Sequence, residues 1–431
     1  MLATSTDTLR FDTVFATTGS ITQAIKIFNT NKETIRISSI RLLGGAASAF
    51  KININGTPGP TRENLEIAPA DSAYIFVMAT APVASATTPF LLQDSVAILY
   101  NGNTKKIQVE AYGQNAHFLR RYVVTANEVW KAGLPYVILD GLTVAPNAHL
   151  TIDAGCKLYF HAAAPLVVNG TLTVQGEKWD STRVVFTGDR LDAPYRNLPG
   201  TWPGIVFKNE SHDNRLHYAV LKNAYQAIAV EASPLNNKLT LHETLIDNAY
   251  DAGIIATNTN MTAQNILVSN CGRNLVLQGG DYTFTHATVA SFSTQYLPHK
   301  EPVLTISNAT ERGNAVNVNA VFQNCIFWGE NGGAVPEEVV VTRSGNASCT
   351  VLFDGVLWPL ASVPDGATAL LPPIMQDPAF DSVNIENGFY DFHLKETSPA
   401  LNSGVASTVS LDLDGRPRPV GKPDLGAYEN Q

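Results

Sequence analysis

Four segments in the middle of the chain lie on one template without a gap, and this constrains the fold more than any motif does. They are "LHYAVLKNAYQAIAVEA" from Leu216, "LHETLIDNAYDAGIIAT" from Leu241, "AQNILVSNCGRNLVLQG" from Ala263 and "FTHATVASF" from Phe284. The stacking puts Asn223, Asn248, Asn270 and Ser291 at one position, with successive differences of 25, 22 and 21 residues. A period of this length, carrying three short apolar runs and no helical phase, predicts a parallel β-helix in which each repeat is one coil. Leucine-rich repeats have a similar length, but their fixed Leu/Asn spacing and helical segment are missing. In such a coil, equivalent residues lie about 4.8 Å apart, so the asparagines are expected to hydrogen-bond along the stack and satisfy turn backbone groups. Cys271 shares the small inward position of Ala224 and Ala249 and is expected to be packed rather than reactive.

The rest of the chain is punctuated differently. Residues 11–116 read as about seven short alternating strands, among them "QAIKIFNT", "TIRISSIRLL" and "KKIQVEAYG", separated by "NKET", "NGTPGP" and "NGNT". That is a β-sandwich pattern, without the cysteine pair or buried tryptophan of antibody domains. The expected organisation is a flexible linker over 1–10, an Ig-like sandwich over 11–116, and a right-handed parallel β-helix of the pectate-lyase-like type over 117–376. A Pro-, Asp- and Gly-rich cap or tail follows over 377–431. The fold class is all-β, and the C-terminal segment is expected to cover the open end of the solenoid.

Composition narrows the partners. Of 431 residues 16% are charged, with a net charge of -9 and no Lys/Arg-rich run, which argues against nucleic acid and anionic lipid. No window approaches the roughly 18 apolar residues of a membrane span. Cys156, Cys271, Cys325 and Cys349 have neither CxxC nor Cys/His spacing, so buried free thiols are expected and no zinc site. The first residues, "MLATSTDTLRFDT", lack the basic flank and apolar core of a signal peptide.

The set "LRFDTVFATTGS", "IKIFNTN", "INGTPGP", "DSAYIFV", "AYGQNAH", "GCKLYFH", "LPGTWPGI" and "SPALNSG" resembles secreted, lipid-anchored right-handed β-helix proteins of the Bacteroidota. The closing "DLDGRPRPVGKPDLGAYE" resembles the tail of bacterial extracellular β-helix proteins. The resemblance implies an outer-membrane surface location, with Met1 standing where a removed signal peptide and lipidated cysteine would precede; membrane contact would then run only through that anchor. A second resemblance is to the Bacteroidota O-glycosylation signal, Asp followed by Ser or Thr and a small or apolar residue. It implies modification at Thr8, Thr13, Ser72, Ser95, Ser181 and Ser382; the alternative is Asp-Ser/Thr at strand entries.

β-Helices also host polysaccharide lyases and glycoside hydrolases, and such an activity would show as catalytic groups in neighbouring columns. Hydrolysis uses two carboxyl groups about 5 to 9.5 Å apart. The alignment flanks Asp247 with Lys222 and Ser269, Asp251 with Gln226 and Arg273, Glu243 with Tyr218 and Asn265, and Glu231 with Ala256 and Gln278. No column supplies a carboxylate pair. An enzyme would have to draw on Glu243, Asp247, Asp251 and Arg273 across columns. For ligand binding the candidates are the tyrosine column Tyr225 and Tyr250, with Gln226, Asp251 and Arg273 beside it. The insertion "GDRLDAPYRNLPGTWPG" adds Tyr195, Arg196 and Trp202 as a wall over a groove. "DLDG", Asp412 to Gly415, resembles a calcium loop without its remaining ligands, and His217 aligns with His242 without a third metal ligand. No cofactor is expected beyond this weak calcium motif.

The sequence therefore predicts a non-catalytic surface protein, a sandwich holding a β-helix whose flank binds glycan or a protein partner. The alternatives are a polysaccharide lyase or glycoside hydrolase, and a structural accessory subunit of an outer-membrane complex.

Overall fold

The computed structural model describes residues 2–193, 195–232, 238–310, 313–330, 335–419 and 421–430. The chain divides into two compact units, one of 1–117 with 191–196, the other of 118–190 with 197–431. Both are all-β, with only two short 3-10 turns, at Gly45–Ala47 and Tyr195–Asn197, among the described residues.

The first unit is built of two five-stranded sheets. One runs Leu2–Thr4, Gln23–Asn29, Ser72–Ala79, Phe50–Ile54, Thr57–Pro58; the other runs Thr8–Phe15, Asn103–Gln114, Phe90–Tyr100, Ile35–Leu42, Thr61–Ile67. Alternation aims one side of each strand inward, so Ile25 and Ile27 are fully buried while Lys26 between them is half-buried. Ile25, Ile54, Ile75, Val96 and Ile107 belong to one apolar cluster fed by both sheets. Asn29 sits at its edge, where its Nδ2 donates to the carbonyls of Ile67 (2.9 Å) and Ala68 (3.0 Å). The expected linker is not one. Leu2–Thr4 pairs antiparallel with residues 27–29, and Thr8–Phe15 pairs in parallel with Asn103–Gln114. Thr8 and Leu9 carry β-branched and apolar side chains that a sheet edge can use.

In the second unit, parallel strands pair in three columns, each strand with the one a full repeat further along. Leu216 pairs with Leu241, Leu241 with Ala263 and Ala263 with Phe284, the register of the sequence alignment. The same column runs on through Phe322 and Phe353, whose rings and that of Phe284 stack at 5.2 Å centroid spacings. Upstream, Glu128–Trp130 pairs with residues 150–152 and these with 172–174. Inward side chains of all three columns form a single cluster.

Two corners repeat a left-handed backbone. One holds Tyr218 (φ 47°), Glu243 (43°), Asn265 (49°), His286 (55°), Asn324 (56°) and Gly355 (68°). The other holds Asn223 (61°), Asn248 (58°) and Asn270 (51°), which explains the asparagines twice over. Asparagine tolerates this conformation, and Asn248 Nδ2 donates to Asn223 Oδ1 at 2.8 Å. Asn270 Oδ1 accepts the Phe292 N–H at 3.1 Å. Cys271 is buried beside this corner; Cys156 and Cys325 are buried elsewhere, Cys349 is half-buried, and all four are free.

The C-terminal segment is placed differently from the expectation. Its hairpin, Phe380–Asn384 with Phe389–Leu394, and the irregular chain beyond lie along the flank of the stack instead of covering its end. Phe380, Phe392, Leu413 and Leu425 share a second cluster with Leu267, Ala290, Ile326, Trp328 and Leu357, one column of strands seen from outside. Polar contacts follow the first corner rung by rung. Arg183 donates to Leu413 O (3.1 Å), Asn265 Nδ2 to Leu411 O (2.7 Å), and Asn324 Nδ2 to Val405 O (2.8 Å). The physical reason is that these strands are apolar on both faces and need a cover on the outer one.

Candidate functional site

The column of strands farther along each rung from that corner carries the candidate site. Its outward positions, paired from rung to rung, are Val206, Ala229, Ile255, Val276, Thr305 and Val340. Ile228, Ile254, Leu275 and Leu304, one residue earlier, point inward and are fully buried. Small and apolar residues therefore floor a sheet face.

Tyr225 and Tyr250 stand at the corner where the chain enters this column. Their backbones are held by hydrogen bonds to the preceding rung, Tyr225 N to Trp202 O (2.7 Å) and Tyr250 N to Ala224 O (2.8 Å). The rings stack at 5.6 Å between centroids with 24° between planes, and the residues are 48% and 52% exposed. Leg 197–200 of the insertion runs alongside without covering them. Asn248 Nδ2 donates to Asn197 O (2.9 Å), and a Cβ on Gly200 would sit 3.2 Å from the Tyr250 Cβ. On the next rung the aligned residue is Gly272, where a Cβ would overlap the Tyr250 carbonyl. The aromatic column therefore ends in a residue with no side chain, leaving a shelf.

Gln226, Asp251 and Arg273 adjoin it. Backbone register sets Ala252, not Asp251, opposite Gln226 and Arg273, one residue off the gap-free alignment. The side chains nevertheless meet: Gln226 Nε2 donates to Asp251 Oδ2 (2.7 Å) and Arg273 donates to Oδ1 (2.6 Å). Both carboxylate oxygens are thus engaged. Next to this set runs a groove of about 590 Å³, floored by Ala229 and Ile255 and edged by Asn209, Thr257, Gln278 and Asn314. Glu231 lies on its rim, ion-paired with Lys208. Val230, not Glu231, pairs with Ala256, so Glu231 shares its rung position with Thr257 and Gln278.

Other predicted residues fall elsewhere. Trp202 is fully buried, stacked on Phe160 at 4.5 Å with its Nε1 donating to Lys222 O (2.8 Å), so it belongs to the core and not to a ligand wall. Its position before Pro203 and Gly204 suggested a loop, whereas Trp202 bridges in parallel to Ala224 as part of a rung. Tyr195 and Arg196 belong to the first unit, where Arg196 faces Asp12 at 3.9 Å.

Glu243 and Asp247 are not brought to Asp251 and Arg273. Glu243 is buried, accepting from Asn265 Nδ2 (2.9 Å) and facing His217 Nε2 (3.0 Å). Asp247 accepts from Ser269 Oγ (2.8 Å), and burial pushes its carboxyl above the usual range against the opposing pull of Lys222. Both lie toward the C-terminal segment, Glu243 through Asn265 and Asp247 near Tyr390. His217 and His242 are register partners with rings edge-on at 6.4 Å.

Asp412 of "DLDG" is buried, with its oxygens accepting N–H groups of Asp414 (2.9 Å), Arg416 (2.7 Å) and Glu429 (2.9 Å). Backbone donors thus occupy it as a turn-forming aspartate would be occupied. Among the described residues no group of three or more His, Cys, Asp or Glu is arranged to hold a metal. Of the six Asp-Ser/Thr positions, Ser181 stands exposed on a turn, while Thr8, Thr13, Ser72, Ser95 and Ser382 are half-buried in strands. Asp71, at the entry of Ser72–Ala79, and Asp94, inside Phe90–Tyr100, each accept the N–H of the following serine at 2.7 Å.

Sequence reasoning missed the amide edge of the groove and the buried network of the closing segment. In "IAVEA", "IIATN" and "LVLQG" the polar residue that recurs after each apolar run, Glu231, Thr257 and Gln278, carried the first signal. The second had none, because Arg418 meets Asn265 across 153 positions.

No known family profile matches the chain, and no curated protein matches it. One solved structure with a partial likeness is a family 123 glycoside hydrolase from Clostridium perfringens, described for glycolipid glycan hydrolysis. The likeness spans 29% of this chain and 26% of that one at 14% identity, with a TM-score of 0.20, too low to carry an argument.

Proposed function

We propose that this chain is a non-catalytic surface protein of a Bacteroidota bacterium. In this reading an Ig-like sandwich precedes a right-handed parallel β-helix, which binds a glycan along its Tyr225/Tyr250 face. The observation that carries the reading is the exposed, stacked tyrosine pair ending at Gly272, next to a groove edged by amides. Aromatic faces supply apolar area to a sugar's C–H face at low entropic cost, and amides match hydroxyls that both donate and accept. Asp251 supports binding more than catalysis, since Gln226 and Arg273 hold both of its oxygens and Glu243 and Asp247 lie toward the C-terminal segment.

Export and lipid anchoring follow from the resemblance, and Ser181 is the best placed of the six O-glycosylation positions.

The test is a glycan array followed by calorimetry on the best ligand. Tyr225→Ala and Tyr250→Ala are expected to abolish binding while leaving the fold intact. A blank array with a stoichiometric protein captured from native membranes would replace this reading by the accessory-subunit one. Release of reducing ends or unsaturated uronic products, lost in Asp251→Asn, would replace it by an enzyme.

A further inference from the structure

We infer that the chain bound along this face is an uncharged glycan, built of neutral hexose or N-acetylhexosamine units, and not a polyuronate. This rests on the glycan-binding reading above and narrows it. Of the described cations at the shelf and groove, Arg273 pairs with Asp251 at 2.6 Å and Lys208 with Glu231, while Lys238 is fully buried with its Nζ donating to the carbonyls of Lys208 (2.6 Å) and Asn209 (3.2 Å). A polyuronate brings a carboxylate on every sugar, and each one losing water on binding needs a cation or several donors of its own. Here the two accessible cations already serve a carboxylate, and the buried Lys238 serves two carbonyls. A net charge of -9 adds a long-range repulsion against polyanions.

What the groove offers instead is neutral hydrogen bonding. Asn209, Gln226, Gln278 and Asn314 present amides. Thr310, on the same wall, has a buried Oγ1 with no hydrogen-bond partner. An orphan hydroxyl is unusual in a native fold, and a sugar hydroxyl is the group that would satisfy it.

The full chain is titrated calorimetrically with β-1,4-linked oligomers of glucose, mannose and N-acetylglucosamine, and with oligogalacturonate and oligomannuronate of matching length. At least one neutral oligomer is expected to bind and the acidic ones not. Gln278→Ala and Thr310→Val are each expected to weaken the neutral ligand about tenfold. Glu231→Gln, by releasing Lys208, is expected to admit oligogalacturonate. Tighter binding of an acidic oligomer to the unmodified chain, lost in Arg273→Gln, overturns the inference and leaves glycan binding standing. Neutral binding indifferent to Gln278 and Thr310 also overturns it, since the ligand then sits elsewhere. If no carbohydrate of either class binds, the inference and the reading beneath it both fail.

Discussion

Replacing Arg418 by methionine should release the C-terminal segment from the flank of the stack. The Arg418 side chain is fully buried and that of Glu429 nearly so, 2.8 Å apart. Arg418 also donates to Asn265 Oδ1 (3.1 Å) and Gly426 O (2.9 Å). Burial pulls the guanidinium down, opposed by the charges of Glu429, Asp412 and Asp424, and pushes the Glu429 carboxyl up, opposed by the Asp424 N–H and by Arg418. Removing one partner of a buried pair costs about 3–5 kcal/mol, and the two stranded acceptors keep the figure toward the upper end, roughly 4 kcal/mol or more. At about 1.4 kcal/mol per decade, that is close to a thousandfold loss of protection. Amide hydrogen exchange over 398–430 is the appropriate assay, because a repeat stack does not unfold as one cooperative unit. Arg418→Met combined with Glu429→Gln should recover part of the loss, since Gln keeps an acceptor for the Asp424 N–H, which Glu429 holds at 3.1 Å, without an unpaired charge, while the acceptors of Asn265 and Gly426 stay stranded. Unchanged exchange in the single variant, or a double variant as weak as the single, would refute the reasoning.

The remaining predictions address the core, the thiols, one corner and pH. Trp202→Ala should destabilise the second unit by about 3–5 kcal/mol, whereas Tyr225→Ala on the exposed shelf should stay within about 1 kcal/mol. Equal shifts in denaturation midpoint would contradict this placement. Burial pushes the thiols of Cys156 and Cys325 up to about 11 and about 12 and that of Cys271 up as well, so mass spectrometry after native alkylation should find label on Cys349 alone. Gly204→Ala should prevent accumulation of folded protein, because at φ 108° its Cβ would overlap the Gln226 carbonyl; Gly56→Ala, at φ 90° with open space around it, should cost only about 1 kcal/mol in the same melts. His393 lies between Asp391 (2.5 Å) and Asp414 (2.9 Å). Burial pulls the imidazolium down, but hydrogen bonds to Asp414 and Asp391 and their charges outweigh it, so the net shift is upward. Its contribution should be complete below about pH 6.5 and be lost as pH rises through the raised value. Exchange protection of Phe380–Asn384 and Phe389–Leu394 should therefore fall across that interval in the parent and stay flat in His393→Gln.

The stacking was legible wherever the coil was regular. Leu216, Leu241, Ala263 and Phe284 pair as their spacing predicted, since rungs of 25, 22 and 21 residues leave an alignment little freedom. The next two steps, Phe284 to Phe322 and Phe322 to Phe353, span 38 and 31 residues. Loops between the strands stretch those rungs, and a single aromatic per rung is too little signal to find them. At Asp251 the reading slipped by one residue because Ala252 takes the paired position, which a gap-free alignment cannot represent. Side-chain length absorbed the slip: Asp251 still reaches both Gln226 and Arg273.

The place of the closing segment was hidden for a different reason, and it decides where function can reside. Loss of the repeat after residue 377 was visible, but the expectation that an open end needs a cover drew attention from a second exposed surface. Runs such as "NILVSN", "ATVASF" and "CIFWG" are apolar at consecutive positions, which a strand facing solvent on one side does not require. Leu267, Ala290, Ile326 and Trp328 are the outward members of those runs, and Phe380, Phe392 and Leu413 cover them. Glu243 is drawn into the same contact through Asn265, and Asp247 lies close to it near Tyr390, so two of the three acids that the sequence offers for catalysis stand at this contact and apart from Asp251. The opening stretches of the strands beginning at Gln226, Ala252 and Arg273 lack such a cover among the described residues of the C-terminal segment, and the Tyr225 and Tyr250 rings at their entry stay about half exposed.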